Sequence, residues 1–67
     1  MFGSKREKQE RLERIADLLE KEVLTQADLA RKLGVHRSTI NDDLVDLEAR
    51  GIYLQEHEGK LSLFRRR

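Results

Sequence analysis

The chain has 67 residues, 14 of them Lys or Arg and 13 Asp or Glu, so 40% are charged and the net charge is only +1. That length supports one small domain, residues 1–67, near the lower limit for folding without disulfides or metal; with no cysteine, disulfides and thiolate metal sites are excluded. Nothing has the pattern of a signal sequence or a membrane span, so a cytoplasmic location with no membrane partner is expected, and the near-neutral balance leaves charge distribution to decide about nucleic acid.

Residues 1–4, with Gly3 and Ser4, are expected to fray, and Ser4 is placed to cap the helix that follows. That helix is predicted over 5–22. Leu12, Ile15, Ala16 and Leu19 share a face with Leu18 beside it. The opposite face carries Glu7/Arg11, Glu10/Arg14 and Asp17/Lys21 at i, i+4 spacing, each pair worth about 0.2–0.5 kcal/mol. The first ten residues offer little to bury; they are a solvated extension, a dimer contact or an arm reaching a partner. In the connection Glu22–Leu24, Val23 and Leu24 are expected to cover the bottom of the core.

A second helix is predicted over 25–33. Thr25 is a good N-cap, Asp28 can reach back as the acidic member of a capping box, and Leu24 and Leu29 are placed as a hydrophobic staple. Leu29, Ala30 and Leu33 share a face, and Gly34 can stop the helix in a left-handed conformation. After Val35, a third helix over 36–50 carries Ile40, Leu44 and Leu47 at the i, i+4, i+7 spacing of a buried stripe.

Beyond Gly51 the apolar period changes to two. A hairpin over 52–64, with a two-residue turn at Glu58-Gly59, sets Leu54 opposite Leu63, Glu56 opposite Leu61 and Tyr53 opposite Phe64 on the outer side. Residues 65–67 form a basic tail, either a phosphate-binding end or a solubilising one. One face of each helix and the inner face of the hairpin make the core; at roughly 1.5–3 kcal/mol per buried aliphatic side chain it offsets chain entropy only marginally, so dimerisation would help. Val45, Tyr53 and Phe64 fall outside the core, as a partner surface or as scattered exposed apolar groups.

Ala30, Gly34, Val35 and Ile40 resemble the helix-turn-helix of bacterial transcription regulators, where such residues let two helices cross closely. The longer stretch LTQADLARKLGVHRSTINDDLVDLEARGI is similar to the winged-helix N-terminal domains of DeoR-type repressors and biotin-repressor-like proteins. The resemblance covers roughly Arg11 to Phe64. It implies a mainly α fold with a small β-hairpin: a three-helix core plus a two-stranded wing. A plain three-helix bundle is the alternative for the same leucines.

The resemblance also implies a function: sequence-specific binding of double-stranded DNA in transcriptional regulation, as a homodimer, with the third helix in the major groove. The outward residues of that helix are then His36, Arg37, Ser38, Asn41, Asp42 and Val45. Arg37 can pair bidentately with guanine or touch phosphate, Asn41 can pair with adenine, and Ser38 and Thr39 sit where first-turn hydroxyls and amides suit a phosphate. His36 stands where the family more often has Ser or another cap, and is expected to cap weakly. Further positive charge is expected from Arg31, Lys32 and Lys60, from Lys5, Arg6 and Lys8, and from the terminal arginines.

One departure matters. Asp42 replaces a basic residue of the family, where it can accept from cytosine N4 but repels phosphate. From His36 to Arg50, two basic side chains (Arg37, Arg50) stand against four acidic ones (Asp42, Asp43, Asp46, Glu48), a formal −2. A second reading follows: a winged-helix protein-interaction or dimerisation module whose acidic helix meets a basic partner and no DNA. No enzyme is expected. His36 and His57 lack partners at metal-ligand spacing, no phosphate loop or nucleophile motif is present, and Asp42 and Asp43 read as a solvated face. Neither cofactor, metal nor small-molecule ligand is implied.

Overall fold

The structure, a computed structural model, describes residues 4–66 and the side chains of residues 6–65. The elements run α1 (Ser4–Lys21), β1 (Leu24–Thr25), α2 (Gln26–Leu33), α3 (Arg37–Ala49), β2 (Ile52–His57) and β3 (Lys60–Arg66). Ser4, expected to fray, is instead the first residue of α1, and the helix stops at Lys21 rather than Glu22; the fraying expected of residues 1–3, a Ser4 side-chain cap, and the Lys5, Arg66 and Arg67 side chains lie outside the described residues.

Each boundary has a local cause. Thr25 is extended (φ −84°, ψ 167°); its hydroxyl accepts from the Asp28 amide and the Asp28 carboxylate accepts from the Thr25 amide, a complete capping box. Gly34 ends α2 in the left-handed region (φ 69°, ψ 34°), and the Val35 amide donates back to the Ala30 carbonyl at 3.0 Å. In the hairpin, Glu58 (φ 54°) and Gly59 (φ 81°) both take positive φ, the turn that matches the twist of two paired strands.

Leu12, Ile15 and Leu19 of α1, Leu29 and Ala30 of α2, Ile40 and Leu47 of α3, and Leu24 and Leu61 of the sheet form one buried cluster. Leu18, Leu33, Val35, Leu44, Ile52, Leu54 and Leu63 pack around it. All three helices thus bury their apolar stripes against one another and against the inner face of the sheet, as the winged-helix architecture requires.

The sheet departs from the expectation in three ways. It has three antiparallel strands in the order β1-β3-β2, because Leu24 and Thr25 pair with Leu61 and Lys60. Two residues carry no readable period, so this strand reads as a turn in the sequence. Its alternation buries Leu24 (7% exposed) and leaves Val23 58% exposed, so only Leu24 covers the core. Next, Leu54↔Leu63 and Glu56↔Leu61 pair as expected, but Tyr53 faces Arg65 instead of Phe64. A bulge inserts Phe64 as an extra residue in β3, which turns Phe64 and Arg65 together toward the outer side. Finally, Arg65 and Arg66 belong to β3 rather than to a tail.

Candidate nucleic-acid interface

The turn after Gly34 delivers the chain to α3 through His36, extended at φ −78° and ψ 156°. The His36 imidazole makes no capping hydrogen bond. Its backbone carbonyl accepts from the Ile40 amide at 3.2 Å and from the Thr39 amide at 3.0 Å, the latter one of the two donors a side-chain cap would serve, so the expected weak cap is corrected and the Thr39 amide is not free for a phosphate.

Steps of 100° per residue sort α3 into three sides. Ile40, Asp43 and Leu47 are fully buried. Leu44 is half-buried toward β2, where Asn41, Val45 and Glu48 meet Ile52, Leu54 and Glu56 in a shallow groove of about 230 Å³ that also touches Gln26 and Leu61. Arg37, Ser38, Asn41, Asp42 and Val45 are exposed.

Asp43 is the unexpected member of the inner side. It is 0% exposed, yet its carboxylate is satisfied by the Arg11 guanidinium through Nε (2.5 Å) and Nη2 (3.1 Å), with Lys8 Nζ at 3.4 Å. Lys8 also reaches Asp46 at 2.6 Å. The Asp46 carboxylate, ahead of Asp43, raises the Lys8 ammonium above its ordinary pKa, and Asp43 does the same to Arg11. An uncompensated buried charge costs several kcal/mol, so Asp43 is stable inside because two partly exposed cations on α1 reach its carboxylate.

Three expectations are corrected by this cluster. Asp43 belongs to no solvated face. Arg11 gives its hydrogen bonds to Asp43, across 32 positions of the chain, and Glu7 is left as the lesser, through-space partner. Lys8 is engaged by Asp43 and Asp46 and is not a free arm. Counting Lys8 and Arg11 with α3 cancels its formal −2, leaving Arg37 and Arg50 against Asp42 and Glu48 as the outward charges. The clue was present in the sequence: Asp43 lies three residues after Ile40 and four before Leu47, on the buried stripe itself.

The remaining candidates scatter. Arg37 lines a cleft with Thr25, Gln26 and Ala27 of the α2 start and with Glu56 and Gly59 of the hairpin, so α3, α2 and the turn converge there. Lys60, exposed, follows that turn and pairs in the ladder with Thr25 and His57. Arg31 and Lys32 are exposed at the other end of α2, where Arg31 already holds Asp28 at 2.5 Å. Hydrogen bonds from the Thr25 backbone hold Asp28 below its ordinary pKa, with Arg31 adding to the effect. Thr39 is half-buried, while His36 and Ser38 are exposed.

Among the described residues no group of three or more His, Asp or Glu side chains is placed to hold a metal ion, and no helix is long and apolar enough to cross a membrane. A family model described as an HTH domain matches residues 11–60, three quarters of the chain. No curated protein and no solved structure matches it.

Proposed function

Because the chain belongs to the HTH-domain family, a DNA-binding and non-catalytic kind of domain, we propose that it binds duplex DNA sequence-specifically and regulates transcription. In this reading α3 lies in the major groove and the hairpin acts as the wing, as in DeoR-type and biotin-repressor-like regulators of bacterial cytoplasm. Arg37 and Asn41 read base edges, Asp42 accepts from cytosine, and His36, Ser38 and Thr39 approach the phosphates at the helix start. Arg31, Lys32 and Lys60 neutralise backbone charge on either side, and a homodimer would present two such helices to a twofold site.

The observation that carries the proposal is the division of charge on α3. Asp43 and Asp46 are held by Lys8 and Arg11, so the exposed side offers Arg37 and Asn41 to a duplex with half of the helix's acids neutralised. Binding to random and genomic duplexes, titrated with salt and accompanied by a mass measurement in the same buffer, tests it. Affinity should fall steeply as salt rises, with genomic fragments held more tightly than random ones. Failure to retain any duplex in dilute buffer would remove the regulator assignment.

One observation favours a second reading. Glu48 and Glu56 flank the shallow groove between α3 and β2, whose lining mixes polar and apolar side chains, which suits a basic protein segment. A protein that ignores duplexes at low salt but captures a cationic peptide would be this module instead.

A further inference from the structure

We propose that Val45 is a specificity-determining residue that selects thymine through its C5-methyl group, an inference that rests on the DNA-binding reading above. Val45 is 62% exposed at the rim of the groove over β2, whereas Ile40 and Leu47 of the same helix are wholly buried, so most of its isopropyl group lies outside the core. The helix does not favour it either: valine is a poorer helix former than Ala, Leu, Lys or Arg, because its branched side chain loses rotamer freedom against the preceding turn. A β-branched apolar residue at an exposed helical position is therefore favoured by neither folding term.

Its position supplies the reason. Ser38, Asn41, Asp42 and Val45 are spaced i, i+3, i+4, i+7, one continuous exposed stripe. At 1.5 Å per residue this stripe is about 10 Å long, which matches three base-pair steps of about 3.4 Å. Three of its members carry hydrogen-bonding groups; Val45 carries none, so it discriminates only by apolar contact. The thymine methyl is the one apolar group that base pairs present on the major-groove edge. Lying past Asn41 and Asp42 on the stripe, Val45 would meet a thymine at the far edge of the bases those two residues read.

The test starts from duplexes that the full chain enriches from a random pool. Each enriched thymine is replaced in turn by uracil, which removes the methyl and leaves every hydrogen-bonding group in place. At one position the wild-type chain should lose affinity about four-fold, the value of one buried methyl, while Val45→Ala is indifferent to the same replacement. Enriched sites with no thymine dependence, or an equal loss in wild type and Val45→Ala, would overturn the inference and leave DNA binding standing. If no duplex is retained at low salt, the DNA-binding reading fails and the inference fails with it.

Discussion

Asp42 and Asp43 are neighbours of the same chemical type, and α3 puts them to opposite uses. Asp43 is sealed between α3 and α1, where Arg11 and Lys8 satisfy both of its oxygens. Asp42, 100° further round, is exposed on the side that also presents Arg37, Asn41 and Val45. The difference is set by the helical period rather than by the residue, and it teaches that a formal charge sum over a recognition helix misleads. What a partner senses is the charge left after the inward groups have been neutralised by the elements behind them.

The buried half of this comparison is the easiest to break. Asp43→Ala leaves the Arg11 guanidinium and the Lys8 ammonium without their shared partner, and should lower stability by about 3–5 kcal/mol in urea unfolding. Replacing both members, Arg11→Met with Asp43→Leu, should recover most of that loss; a double variant as unstable as the single one would mean the pair does more than satisfy itself. The exposed half should respond in the opposite sense. Arg37→Ala should weaken duplex binding by about 1–3 kcal/mol if it reads a base, with stability changed by less than about 0.5 kcal/mol. An unchanged affinity would take Arg37 out of the interface.

Asp42→Arg sharpens the contrast. It should strengthen binding to random duplex and steepen the slope of log affinity against log salt by about one, measured by fluorescence anisotropy. On an enriched site the same change should cost the cytosine contact, and an equal gain there and on random duplex would remove Asp42 from base reading. The smallest effect belongs to a third carboxylate, Asp28, which is bonded locally to the cap. Because its pKa is lowered in the folded state, its contribution is present above the ordinary value of 3.8 and lost as pH falls through the folded value. Thermal melts of Asp28→Asn should therefore show a flatter acid limb than wild type, and parallel limbs would mean that the cap carries no pH dependence.

Much of this fold was legible because its signals are local. The capping box at Thr25 and Asp28 spans three residues, the Gly34 stop is a single left-handed residue, and the Glu58-Gly59 turn sets the Leu54–Leu63 register directly. Longer reach defeated the reading. Arg11 and Asp43 are separated by 32 positions, so a helix-by-helix view assigned Arg11 to Glu7 and Asp43 to solvent. The bulge at Phe64 adds one residue to one strand only, and alternation alone does not reveal it. β1 is too short for any period to show. For the candidate site, Arg37 and Asn41 could be read as outward from spacing, but the neutralising role of Lys8 required the packing of α1 on α3.

The pairing of Leu24 and Thr25 with β3 has a mechanical result. The hairpin is no hinged flap; it is stitched on its far edge to the connector that also starts α2. Lys60 and Leu61 thus tie the wing by backbone pairing to the residue that caps the neighbouring helix.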